Sequence, residues 1–208
     1  LARASAGTSA DALLWHAQLA MRQAKASQGC TWCLYDEHVS RSARSLADQE
    51  GELRRALRRG ELELHYQPRL CLDTGRVVGI EALVRWLHPE RGLLGPDAFI
   101  PMAEESGLIM PLTLAVLRRA FSDARRWNAG RQVPLLVAVN LSPLLFLGDD
   151  VVERVMAVLD EVGLSPLLVE LEITETVFLG DGSRAVSILA DFKARGFRLA
   201  MDDFGTGY

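Results

Sequence analysis

Cysteine is scarce: three residues in 208, an odd number, which argues against a disulfide framework. Cys30 and Cys33 form a lone C-x-x-C. A zinc site there would want two more ligands nearby, and the only other cysteine is Cys71, so the plainer reading is a pair of strand thiols. The four histidines, at 16, 38, 65 and 88, fall at no ligand spacing, and His65 is read as a strand residue. Long apolar runs are also missing. None approaches the roughly 20 residues needed to cross a bilayer, and no basic, apolar and cleavable segments follow one another at the start. A cytoplasmic setting is therefore expected, with any membrane anchor left to absent N-terminal segments of a parent protein. The first residue is Leu1 rather than Met, which is read as a sign of a longer polypeptide. A net charge of −4 neither suggests nor excludes a nucleotide ligand, because a bound cation can reverse the local sign. No nucleic-acid partner is expected. What is present, 49% hydrophobic and 24% charged residues, suits one sizeable core with an appendage.

Thr8, with Asp11 three residues on, has the form of a capping box, and Leu13, Leu14, Ala17, Met21 and Ala24 then recur at helical spacing until Gly29. The following "CTWCLY" suits a strand, so residues 1–35 read as a final helix and strand that cannot fold alone. From Val39 the apolar positions 39, 43, 46, 53 and 57 fit a heptad broken once by Glu50, and residues 36–60 read as a connecting helix. "RRALRR" at 54–59 could be an anion patch, but cations near a helix C-terminus also favour the dipole and solvate one face.

After Gly60 the period changes. Two extended runs, about 62–72 and 76–84, are joined only by a Thr-Gly-containing turn, and so short a connection demands an antiparallel hairpin. Helices are then expected at 111–127, 149–161 and 183–195, alternating with strands at 135–140, 167–173 and 197–202. Helical crossovers between strands argue for an α/β fold with a parallel sheet.

These strands end in oxygen-bearing side chains: Glu81 in "GIEAL", Asn140 in "VAVNLS", Glu172 in "ELEITE", and Asp202 with Asp203 in "AMDDFGTGY". Asn140 to Glu172 is 32 residues and Glu172 to Asp202 is 30, about one β/α unit of a barrel of roughly 250 residues. Any one of them alone is most simply a cap or a turn residue. Together they would converge on one face, and ligands without histidine or cysteine favour magnesium, manganese or calcium. Adjacent strand residues point to opposite faces, so Asp202 and Asp203 can share a site only if the backbone turns there, as Gly205 and Gly207 permit. A carboxylate pair on such a turn suits two cations, as in phosphodiester hydrolysis. Arg85, four residues past Glu81, lies on the same face if the strand continues and can hold a phosphate bidentately; the alternative is an exposed strand arginine. Gln67 precedes a proline expected to break the strand, which either turns it toward the same rim or leaves it an ordinary edge residue. Trp86, Phe99, Trp127 and Phe204 are assigned to packing.

"YQP", "GIEALVRWLHP", "FIPMAEESGLI", "VNLS", "ELEITE" and "DDFGTGY" resemble, in order and spacing, the EAL domain of bacterial cyclic di-GMP phosphodiesterases. The likeness covers roughly residues 62–208. Residues 1–35 resemble the end of a GGDEF (diguanylate cyclase) domain without its catalytic signature. The resemblance implies a TIM-like (β/α) barrel with an antiparallel first strand, incomplete in this chain. It implies that Glu81, Asn140, Glu172, Asp202 and Asp203 ligate two magnesium or manganese ions, that Glu175 secures the "DDFGTGY" loop, and that Gln67 and Arg85 contact substrate. The implied reaction hydrolyses cyclic di-GMP to linear pGpG, with a homodimer and an upstream GGDEF or sensory domain as partners. Members of the family continue past the "GTGY" turn with a lysine, a glutamate and a glutamine at the site, so a truncated chain with little activity of its own is expected. Two other readings stand beside this one: a non-catalytic cyclic di-GMP receptor, and a barrel enzyme that stabilises an enolate.

Overall fold

The computed structural model describes residues 10–26, 32, 34, 37–178 and 182–202. Thr8, Cys30, Cys33, Asp203, Phe204, Gly205 and Gly207 lie outside them, and with them the expected cap, the C-x-x-C and the turn after Asp202. Of the strand expected over 30–35, only Trp32 and Leu34 are described; both are exposed and neither is in a strand. The chain divides into two compact units between Leu53 and Arg54.

In the first unit the expected helix is α1, Ala10–Ala26. The connecting helix is α2, Glu37–Arg59, and the boundary between the units falls inside it. Arg58 and Arg59 occupy its last turn, where cations complement the helix dipole. Gly60 follows with φ 70°, a left-handed stop that favours glycine.

The second unit holds the sheet. Strands β1 (Leu62–Leu70) and β2 (Val77–His88) pair antiparallel, with Gln67 opposite Glu81. A short β3 (Gly92–Leu94) folds back on β2 through Trp86–Leu94. Helices α3 (Ile100–Glu105) and α4 (Ile109–Asn128) lead to β4 (Leu136–Asn140), which pairs parallel with β2. Helix α5 (Val151–Val162), β5 (Val169–Thr174), α6 (Gly182–Ala194) and β6 (Arg198–Asp202) complete the alternation, with both crossovers parallel. The sheet order is β1-β2-β4-β5-β6, with β3 beside β2.

Strand periodicity decides what faces where. Ile80, Ala82, Trp86, Val137, Val139, Val169, Leu171 and Ile173 are buried, against helices whose apolar stripes recur at three and four residues. On α4 the stripe runs Leu112, Val116, Leu117, Ala120, Phe121 and Ala124. Helix α5 ends on Gly163, φ 71°, whose N–H bonds the Leu159 carbonyl. Arg125 of α4 donates to the Val162 carbonyl at 2.6 Å, so one helix caps its neighbour.

One expectation is corrected. Pro68 does not break β1: it pairs with Ile80 inside the strand, and the irregularity comes one residue later, between Arg69 and Leu70. Among the described residues β1 pairs only with β2, and on such an edge the missing proline N–H leaves no ladder partner unmet.

The segment between β2 and α4 is also more structured than its composition suggests. His88 Nδ1 accepts the N–H groups of Glu90 and Arg91, each at 3.1 Å. Phe99, fully buried, meets Trp86 edge-on at 5.8 Å.

The edge strand is tied to the helix layer by one polar contact. Tyr66 donates its hydroxyl to Asp123 Oδ2 at 2.7 Å, and Trp127 packs on its ring at 4.6 Å. Asp123 is 6% exposed and also receives Arg119 and Arg126, each at 3.0 Å. Replacing Tyr66 by Phe is expected to lower stability by about 1–2 kcal/mol, read as a lower urea midpoint with faster amide exchange in β1.

Candidate functional site

Cross-strand register sorts the inner-face side chains into tiers. Gln67, Glu81, Ala138, Glu170 and Arg198 are linked partner to partner across β1, β2, β4, β5 and β6. Two residues further on, Asn140, Glu172 and Ala200 are level with one another; beyond them Thr174 is level with Asp202. Strand β2 continues to His88, so Arg85 shares the face of Glu81, as expected. Strands β1, β2, β4, β5 and β6 thus each send one or more polar side chains to this face, while most of the residues between them on β2, β4 and β5 are buried.

Two side-chain links span this face. Asn140 Nδ2 donates to Glu81 Oε1 at 3.0 Å, joining β4 to β2. Arg69, one turn of the pleat from Gln67, donates from Nη1 both to Glu170 Oε1 and to Glu172 Oε1, the latter at 3.0 Å. Strands β1 and β5 lie three spacings apart, about 14 Å along the sheet. Side chains standing off a common face meet over such a distance only where the sheet curls toward that face.

Glu172 is the most constrained member. It is 7% exposed, and its Oε2 is buried without a hydrogen-bond partner among the described residues. Burial pushes its carboxyl up from the ordinary 4.5 to about 7, helped by the negative charge of Glu81, opposed by Arg69, and helped again by Asp202 and Glu170. Glu81 and Asp202 are thus each within electrostatic reach of Glu172. Among the described residues no three His, Cys, Asp or Glu side chains stand at the spacing that would by itself hold an ion. Glu81 is instead held by Asn140, and Glu172 by Arg69. A buried carboxylate oxygen with no donor, among like charges and with only oxygen ligands nearby, suits a hard divalent cation.

The remaining expected residues are placed unequally. Arg85 is half-buried, and its Nη1 donates to the carbonyl of Val84 at 2.8 Å. Gln67 is exposed, directly opposite Glu81. Glu175 is half-buried at the start of a short 3-10 turn, Glu175–Phe178, beside a Thr174–Thr176 hydroxyl contact of 2.6 Å. Its expected loop partner and Asp203 lie outside the described residues. Arg69 and Glu170 were missed in the sequence. The signal was there: each lies two residues from a site residue, Gln67 or Glu172, and so on the same face.

A parallel sheet with helical crossovers, entered through an antiparallel strand and carrying polar side chains on one face, defines the class as α/β. The particular family follows from comparison. The family model described as "EAL domain" matches residues 50–208, and the chain belongs to that family. The cyclic di-GMP phosphodiesterase NbdA of Pseudomonas aeruginosa is 40% identical over 97% of this chain and 26% of its own length. From the same organism, the bifunctional diguanylate cyclase/cyclic di-GMP phosphodiesterase MucR is 36% identical over 97% of this chain and 30% of its own. Among solved structures, the PaMucR phosphodiesterase in complex with c-di-GMP superposes with a TM-score of 0.73 at 40% identity, covering 77% of this chain and 65% of that one. The chain spans only between a quarter and a third of the length of these curated relatives. Among its described residues no helix is long and apolar enough to cross a membrane.

The raised pKa has a sign that can be tested. As pH rises from 4.5 to about 7, Glu172 ionises in the unfolded chain before it does so in the folded one. Its contribution to stability is therefore full below that window and lost above it. In chelator, Glu172→Gln is expected to be more stable than the unmodified chain at pH 8 by a few degrees in Tm, with the difference shrinking toward pH 5. A difference that grows on acidification would contradict the assignment.

Proposed function

We propose that this chain is the N-terminal part of a cyclic di-GMP phosphodiesterase domain that cleaves one phosphodiester bond to give linear pGpG. The observation that carries the reading is the convergence of Glu81, Asn140 and Glu172 on one face, with Glu172 Oε2 buried and unbonded. Membership of the EAL family and the likeness to a c-di-GMP-bound phosphodiesterase support the substrate.

Glu81, Asn140, Glu172, Asp202 and Asp203 would hold the ions, magnesium or manganese. When bound, two such cations supply an activated water and neutralise charge on the leaving oxygen. The chain's own residues divide the rest of the work. Asn140 fixes one oxygen of Glu81 and leaves the other available. Burial of Glu172 keeps water from competing for its carboxylate. Arg85, on the face of Glu81 and bonded to the Val84 carbonyl, would supply a guanidinium to a phosphate of the substrate. Gln67 lies beside that tier and offers an amide to the dinucleotide. Glu175 holds the turn that leaves β5 and, through it, the loop that follows Asp202. Residues 1–35 are assigned to the end of a GGDEF domain, consistent with a relative that carries a cyclase and aligns over 97% of this chain. A homodimer is the proposed assembly and the cytoplasm the proposed location.

The test is incubation of the full-length gene product with cyclic di-GMP and magnesium, with nucleotides separated by chromatography; pGpG is the expected product. Tight binding with no pGpG would favour the receptor reading instead. Arg85→Ala is expected to weaken cyclic di-GMP binding roughly 10- to 100-fold, the loss of a charge-assisted phosphate contact. Unchanged affinity would remove Arg85 from the site and revive the enolate alternative.

A further inference from the structure

The reaction just proposed gives no task to Arg69, yet its guanidinium reaches the centre of the carboxylate group. One nitrogen, Nη1, serves two acceptors, Glu170 Oε1 and Glu172 Oε1. The partners differ in accessibility. The side chains of Glu170 and Glu172 are 15% and 8% exposed, whereas that of Arg69 is 42% exposed. The cation is thus the movable member of the triad. It is carried on the last regular pair of an edge strand, beside the register shift between Arg69 and Leu70. Glu170 lies one tier below Glu172 and level with Arg198, away from the end where Asn140, Glu172 and Asp202 gather. A divalent ion on Glu172 would bring two positive charges next to the guanidinium. The two cations then repel, while Glu170 still offers Arg69 a partner.

We propose that Arg69 is a built-in counter-ion for this centre, bridging Glu170 and Glu172 in the metal-free protein and withdrawing to Glu170 when a divalent cation takes Glu172. Metal uptake is then an exchange of one cation for another. Arg69 stabilises the empty site and competes with loading. This inference rests on the metal site proposed above. By linkage, whatever the ion pair contributes to the metal-free state is subtracted from metal affinity.

The experiment compares the 208-residue chain with Arg69→Met and Arg69→Lys, titrating MnCl2 at pH 8 by calorimetry and by the electron paramagnetic resonance signal of free Mn2+, with Tm measured in EDTA. Arg69→Met is expected to bind Mn2+ roughly fivefold or more tightly, to melt lower in EDTA, and to gain more in Tm on adding Mn2+. Arg69→Lys keeps the charge but not the planar fork and should fall between the two; it carries the comparison if the methionine variant does not fold. In a Glu172→Gln background Arg69→Met should no longer lower the EDTA Tm by the same amount. Equal or weaker Mn2+ binding by the Arg69 variants, with the unmodified chain binding normally, overturns the counter-ion role and leaves the metal site standing. No Mn2+ binding by any of the three removes the metal site and this inference together.

Discussion

A carboxylate at the end of an apolar strand must be neutralised, and most of what distinguishes this domain follows from how Glu172 meets that demand. It lies on a strand whose alternate residues, Val169, Leu171 and Ile173, are buried under helices, so it cannot turn toward water without tearing the core. Its neighbours on the same face are largely acidic, and they oppose its ionisation rather than relieve it. Among the described residues, the guanidinium bonded to it comes from β1, three strands away. Curvature of the sheet, the antiparallel first strand and the position of Arg69 are therefore parts of one solution. A regular parallel strand in place of β1 would run the other way and carry Arg69 to a different tier.

The division of labour between the two faces explains why the helices need so little chemistry. Their polar contacts run to one another or to β1: Arg118 of α4 with Glu161 of α5 at 3.0 Å, Arg125 on the last carbonyl of α5, and Asp123 gathering Tyr66, Arg119 and Arg126. These contacts fix helices to one another and to β1. The inner-face residues make their links across strands instead, Asn140 to Glu81 and Arg69 to Glu170 and Glu172.

Much of this was legible beforehand, and the reason is periodicity. The α4, α5 and α6 helices and the strands β4, β5 and β6 were located within two residues because each combines a clean apolar repeat with a glycine or proline boundary. The spacing of 81, 140, 172 and 202 brought Glu81 and Asn140 together, but Glu81 lies within β2 rather than at its end, because that strand runs on to His88. What failed was local. Pro68 was taken as a breaker because composition cannot tell an edge strand from a central one. The short β3 and α3 lack a repeat long enough to register, and their order comes from tertiary contacts, the His88 side chain on two backbone N–H groups and Phe99 against Trp86. Arg69 was passed over because strand parity puts it on the face of Gln67 but names no partner for it. Only curvature brings it to a carboxylate 103 positions further along the chain.

Strand parity also bears on how such a domain changes over generations. The residues that keep it folded point one way and those that could do chemistry point the other, with β1, β2, β4, β5 and β6 each contributing at least one of the polar ones. Exchange of an inner-face carboxylate for an amide leaves the buried valines and leucines untouched and even relieves charge repulsion. Variants that lose an inner-face carboxylate should therefore keep the fold, so that binding on this face can change while the core beneath it stays as it was.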